Sequence, residues 1–313
     1  MTIVSNDPIW WSTIDSYRFT SYFIVASFVA VTYDWALTFG QEVELIWRQR
    51  WSLMTVLYLT VRYLGMSFVV FSLLIDIPTI SMTDIVSSIL YNVLNWINVV
   101  VSIMLGVIMI TRIHAMYQRS RKIQIFLIVI FLVITMFGGV ACVIITIQNS
   151  GEVLILSGTY LCTASFVGDA LFLSSITWIL GTVWEVLALC LAVWIAVKHF
   201  RELQKHSAGG IIGDCFTVLI RSHVVYFMSF TAISCFSLAY VWTPILTQYS
   251  LGSDIYAGLL QILTVVQSFV LGPRLILDVR EYHAELVADS DAVPGMTSIA
   301  LQERVHVSTG SGV

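Results

Sequence analysis

Charge is what this sequence has least of. Only 11 % of its 313 residues are Asp, Glu, Lys or Arg, against about 25 % in a soluble domain. At 58 % hydrophobic, such a chain cannot cover itself with a polar surface, and a bilayer is its natural solvent. Lysine is scarcer still. Lys122, Lys198 and Lys205 all fall outside the long apolar runs, which excludes a retinal pigment with a Schiff base inside a span. The five cysteines form no CxxC and no zinc spacing. Cys142, Cys190 and Cys235 lie in apolar runs and Cys215 in a basic connection. Cys162 is alone in its connection and has no disulfide partner there. The histidines (His114, His199, His206, His223, His283, His306) are scattered and lack HExxH, so neither a metal hydrolase nor a Ser–His dyad at depth is expected. Of five prolines only Pro273 falls inside an apolar run, near its end, so mostly straight helices are predicted. No Asn-x-Ser/Thr sequon exists: Asn149-Ser150 is followed by Gly151. No Lys or Arg precedes Arg18, unlike a cleaved signal peptide, so the first run is expected to act as an uncleaved signal anchor. The net charge of -4 gives no reason to expect nucleic acid as a partner.

What is abundant is long apolar sequence. A bilayer core needs about 20 mainly apolar residues as helix. Seven stretches qualify: 17–39, 52–75, 88–111, 123–147, 171–197, 218–243 and 255–277. They are too long and too continuously apolar for barrel strands. The predicted fold class is therefore an all-α integral membrane protein with seven transmembrane helices. Residues 1–16 read as an N-terminal tail, 17–277 as the membrane domain and 278–313 as a C-terminal tail.

Orientation follows from Lys and Arg in the connections. Connection 40–51 holds Arg48 and Arg50; 112–122 holds Arg112, Arg119, Arg121 and Lys122; 198–217 holds Lys198, Arg201 and Lys205. Connections 76–87, 148–170 and 244–254 hold none. The alternation predicts an outer N-terminus and a cytosolic C-terminus. The tail opens with RLILDVREYHAELV, in which Leu275, Val279, Tyr282 and Leu286 recur at helical spacing, and an amphipathic helix on the inner leaflet is predicted. Beyond Asp289 the Ser, Thr, Gly and acid-rich composition predicts disorder.

One stretch organises the chain: Tyr33 to Trp51, YDWALTFGQEVELIWRQRW. Trp47, Arg48, Arg50 and Trp51 form a candidate interfacial anchor, with Trp47 and Trp51 four apart on one predicted helix face. Tyr33-Asp34, Leu37-Thr38, Glu42, Glu44-Leu45-Ile46-Trp47 and Trp51-Ser52, followed by Arg62-Tyr63, resemble the N-terminal signature of a large fungal family. Its members are basidiomycete seven-span membrane proteins named for an N-terminal domain of unknown function. The likeness covers about residues 22–66, with looser pieces at GPRLILDVRE (272–281) and VLIRSHVVYF (218–227). It implies the seven-span fold and assigns no activity.

Ionisable residues inside a span are expensive and so are functional candidates. Asp34 lies near the end of the first run. Arg62 is ten residues into the second, about 15 Å deep at 1.5 Å per residue. Glu185 lies in the fifth. Asp34 and Arg62 are expected to pair, either as a structural tie or as a ligand counter-ion or switch; Glu185 either shares Arg62 or stays protonated. Asn92, Asn95 and Asn98 on the third run and Gln261, Thr264, Gln267 and Ser268 on the seventh should face the bundle interior. They serve either as interhelical hydrogen bonds or as the lining of a cavity walled by Tyr91, Trp96 and Trp178 and suited to a small amphipathic molecule. Arg112, in TRIHAMYQRSRK, sits where rhodopsin-like receptors carry a G-protein-engaging Arg, but without the neighbouring acid and Tyr. Binding anionic lipid is its expected role.

The function expected is that of a receptor-like or sensor-like seven-helix protein; the alternative is a small-molecule transporter or channel, for which the chain offers few Gly/Pro interruptions, Gly138-Gly139 and Gly272-Pro273. No enzyme activity, cofactor or metal is expected. The partners expected are the lipid bilayer, a small-molecule ligand and a cytosolic signalling protein at the basic connections. The default location is the plasma membrane.

Overall fold

In hydrocarbon, every backbone N–H and C=O must find its bond within its own segment. The apolar runs are accordingly helical in a computed structural model, which describes residues 3–48, 51–77, 80, 82–116, 121–166, 170–205, 226, 228–239, 251–278 and 280–281. The helices are α1 (Trp11–Glu42), α2 (Leu53–Asp76), α3 (Asp84–Met116), α4 (Arg121–Gln148), α5 (Ala170–Lys205), α6 (Met228–Ala239) and α7 (Leu251–Val266). Six of them, all but α6, are long and apolar enough to cross a membrane. The chain is thus a multi-pass membrane protein. The sixth predicted span, 218–243, is described only at Tyr226 and over α6.

Each helix turns a stripe of residues inward at helical spacing. On α1 it runs Ile24, Ser27, Val31, Asp34, Thr38 and Glu42; on α2, Thr55, Tyr58, Arg62, Gly65, Val69 and Ser72. The opposite faces carry exposed Tyr22, Val29, Tyr33 and Leu37, suited to lipid tails. Because those tails are as apolar as a leucine, helix association leans on close packing and interhelical polar bonds. Among the described helices α1 packs on α2 and α7, and α3 packs on α2, α4 and α5. One apolar core joins α1, α2, α3 and α7 around Val61, Val101 and Phe269; another joins α3, α4, α5 and α6 around Ile113, Leu127 and Ala188. At Gly65 the approach is so close that a Cβ would lie 2.6 Å from the Phe269 ring.

The helix ends depart from the predicted boundaries. α1 does not stop at residue 39. It runs through Glu42 into a π turn, Val43–Trp47, in which the Arg48 N–H reaches back to the Val43 carbonyl at 3.2 Å. The helix ends there, so Trp47 and Trp51 share no helix face, contrary to expectation. Ser52 then starts α2 through a capping box with Thr55. A second π turn, Gln267–Leu271, follows α7, and helix continues over 272–278. Pro273 has no N–H and its ring crowds the carbonyl four residues back, which the wider turn just before it accommodates. Leu275, predicted to lie on the leaflet, is instead buried with Ile276 and Leu277 against Ile46, Leu57 and Tyr58. Val279, Tyr282 and Leu286 lie outside the described residues.

A small sheet was not anticipated. β1 (Ile3–Ser5), in the segment read as a tail, pairs parallel with β2 (Asn149–Leu156), which pairs antiparallel with β3 (Thr159–Phe166). The hairpin turns on Ser157 and Gly158, both at positive φ (49° and 80°), as a two-residue primed turn needs. Leu156 and Leu161 are buried against Ile14, and the Val153 N–H bonds Asp84 Oδ1 at the start of α3 at 2.9 Å. Cys162 is on β3, where burial pushes its thiol pKa up.

Candidate functional site

Two buried polar regions stand out. The first is built on residue spacing. Asp34, Thr38 and Glu42 are each four apart, so they stack along one face of α1. Arg62, 2 % exposed, enters from α2 and meets all three. Its Nη1 donates to Asp34 Oδ2 at 3.3 Å; its Nη2 donates to the Trp35 carbonyl at 3.3 Å and to Thr38 Oγ1. Its Nε lies 2.9 Å from Glu42 Oε2, an ion-pair contact rather than an aligned hydrogen bond. Arg274, past the second π turn, closes the cluster from the far end of the sequence: its Nε donates to Asp34 Oδ1 at 2.6 Å. Glu42, fully buried, accepts from Tyr58 Oη at 3.3 Å, Tyr63 Oη at 3.0 Å and Trp47 Nε1 at 3.1 Å. The Arg62 guanidinium also sits 5.7 Å from the Tyr58 ring centroid. Two carboxylates and two guanidiniums cancel, so the cluster is neutral as a whole.

The same end of the molecule is tied twice more. Arg280 donates to the Leu45 carbonyl (2.8 Å), Ser52 Oγ (2.9 Å) and Thr55 Oγ1 (2.7 Å). Its partial burial moves its pKa down from the ordinary guanidinium value. Arg112 is buried and donates to the Leu275 carbonyl at 3.1 Å. Placed so, it joins α3 to the end of the α7 segment and does not reach lipid phosphate as expected, because a carbonyl near a helix end is free to accept.

The second region is a cavity of about 760 Å³ between α2, α3, α4, α5, α6 and α7. That volume lies within the range of small-molecule sites, about 300–1,000 Å³. Asn95, Asn98, Trp178, Glu185, Gln261, Thr264, Gln267 and Ser268 line it; Asn92, Tyr91 and Trp96 do not. Trp96 is 40 % exposed, and Tyr91 bonds Asn95. Glu185 does not share Arg62. It takes a hydrogen bond from Ser234 on α6, while its Oε2 is buried with no partner. Asn95 Nδ2, Trp184 Nε1 and Gln267 Oε1, all on residues lining the cavity, are likewise buried and unpartnered. Such groups cost free energy unless water or a ligand meets them. Among the described residues no three His, Cys, Asp or Glu side chains gather as a metal site would need.

The structure thus brings Asp34 and Arg62 together and leaves Glu185 apart. Trp47, Arg48 and Trp51 are exposed at the arginine-bearing end of α1 and α2, and Arg50 lies outside the described residues. Glu42 and Arg274 are members of the cluster that the sequence reading did not include. Both stand in the two segments quoted for the family resemblance, which meet here across some two hundred residues of chain.

Residues 22–67 match the profile of a family described only as a family of unknown function (DUF6533). The matched segment holds Asp34, Thr38, Glu42, Tyr58, Arg62 and Tyr63, which is the whole cluster except Arg274. No curated protein matches the chain.

Proposed function

We propose that this chain is a receptor-like or sensor-like seven-helix membrane protein whose central cavity takes an amphipathic small molecule. In this reading α6 belongs to a seventh span, the β1–β3 sheet lies outside, the arginine-bearing end is cytosolic, and the plasma membrane is the default home. It is not an enzyme. The observation that carries the reading is the cavity itself. Its wall mixes aromatic and aliphatic side chains with a few polar ones, four of which carry a buried atom with no partner among the described residues, a mixture of the kind found in ligand sites. The neutral, cross-tied cluster at the opposite side of α7 supports a closed inner end. The Lys and Arg distribution supports the orientation.

A transporter is the second reading, favoured by one observation. α7 is interrupted by the π turn Gln267–Leu271 and Gly272-Pro273 beside the cavity, and transporter sites are commonly formed by broken helices. The two readings differ in access. Single cysteines placed at Ser174 and at Ser268, in a background without the native five, are to be labelled by an impermeant maleimide from each side of sealed vesicles. Labelling of both from the sheet side alone supports the sensor. Labelling of Ser268→Cys from the arginine-bearing side as well overturns it in favour of transport.

A further inference from the structure

The chemistry of the cavity wall specifies more than size. Among its described lining residues Glu185 is the one carboxylate, and no Lys, Arg or His lines it. Three described arginines of the bundle are committed elsewhere: Arg62 and Arg274 to Asp34, Arg112 to the Leu275 carbonyl. Ser234 satisfies part of Glu185 but leaves Oε2 buried and without a partner among the described residues, on a side chain that lines a space large enough for a guest. A cationic guest beside it would hold the Glu185 carboxyl in its ionised form, which accepts and cannot donate, so that guest supplies the donors. A cation is the strongest such donor in a site away from water.

The rest of the wall fits the body of the same guest. Trp178 is seven residues before Glu185, two turns along the same face of α5, or about 10 Å at 1.5 Å per residue. Between them Gly181 leaves the wall open: a Cβ built on it would meet nothing within 4 Å. Trp184, packed on Phe131 with ring centroids 5.2 Å apart, adds an aromatic surface beside the acid.

We propose that the cavity takes a ligand bearing a protonated amine, with the ammonium on the Glu185 carboxylate and an aromatic or aliphatic body of about 10 Å along α5 toward Trp178. The proposal rests on reading the cavity as a ligand site and is indifferent to whether that site senses or transports.

The test uses the full-length protein in lipid nanodiscs and two probes of one shape, 4-phenylbutylamine and the neutral 4-phenyl-1-butanol, in a radioligand binding assay. The wild type is expected to hold the amine at least roughly tenfold more tightly than the alcohol, the size of a charge-assisted hydrogen bond. Glu185→Gln is expected to lose that preference while still holding the alcohol, and Glu185→Asp, which keeps the charge, to retain it. Gly181→Leu, which fills the space between Trp178 and Glu185, is expected to abolish binding of both. Equal affinity of the two probes in the wild type, or a preference that survives Glu185→Gln, overturns the ammonium assignment and leaves the cavity reading standing. Saturable binding of neither probe up to about 1 mM, or binding indifferent to Gly181→Leu, overturns the cavity reading and the assignment with it.

Discussion

The Asp34–Glu42–Arg62–Arg274 cluster and the cavity around Glu185 are both polar and both buried, in a chain with little charge to place. In the cluster each carboxylate meets a guanidinium, and Glu42 also accepts from two tyrosine hydroxyls and an indole N–H. In the cavity a carboxylate, two amides and an indole each keep an atom with no partner among the described residues, which leave an open space between them. Satisfied polar groups in hydrocarbon hold helices together; unsatisfied ones need a further partner. The same residue types therefore do opposite work. One region fixes α1, α2 and the end of the α7 segment against each other. The other leaves a space between α3, α4, α5, α6 and α7.

The largest test of that contrast is to break the cluster. Arg62→Leu leaves Glu42 buried without its cation and is expected to cost about 3–5 kcal/mol, as removal of one member of a buried ion pair does. Thermal unfolding in detergent reads it, and a loss below 1 kcal/mol would make the cluster no tighter than a surface pair. Next comes coupling. Asp34→Asn and Arg62→Gln are expected to be non-additive by about 1–3 kcal/mol in a double-mutant cycle, while the same cycle on Glu185 and Arg62 should be additive. Glu42→Gln keeps an acceptor for the aromatic donors and removes the charge, so a smaller loss of about 1–3 kcal/mol is expected. The smallest effect is expected at Glu185→Gln, within about 1 kcal/mol of wild type, because no cation is stranded by it. A loss there as large as that of Arg62→Leu would erase the distinction between the two regions.

How much of this was readable in advance depends on the signal each element leaves. Apolar run length located every long helix, since the bilayer sets that length directly. Asp34 and Arg62 were paired from opposite charge and compatible depth. Glu42 was lost because the first span was ended where polar residues begin, at Gly40-Gln41. A helix can carry an acid onward when a guanidinium waits for it, and the spacing Asp34, Thr38, Glu42 was the available sign. Arg274 was assigned to a surface helix because hydropathy says nothing about which neighbour a helix end packs on. Asn92, Asn95 and Asn98 show the opposite error. A step of three residues turns a helix by 300°, so the set drifts by about 120° and cannot all face one cavity; Asn92 is the one left out. The hairpin was missed because connection 148–170 was read for charge alone. Two short apolar runs flanking Ser157-Gly158 carry a strand signal that no span length reveals.

The sheet has one more consequence, which is arithmetical. Strands that share hydrogen bonds must lie on the same side of a membrane. β1 precedes α1, and β2 follows α4 directly. The number of crossings between Ser5 and Asn149 is therefore even. If any single one of the four intervening helices were to turn back within the bilayer, Ile3 and Leu154 would be on opposite sides and their pairing would be impossible. Three backbone registers at the edge of the molecule thus act as a parity check on the whole first half of the chain, independent of where any lysine or arginine falls.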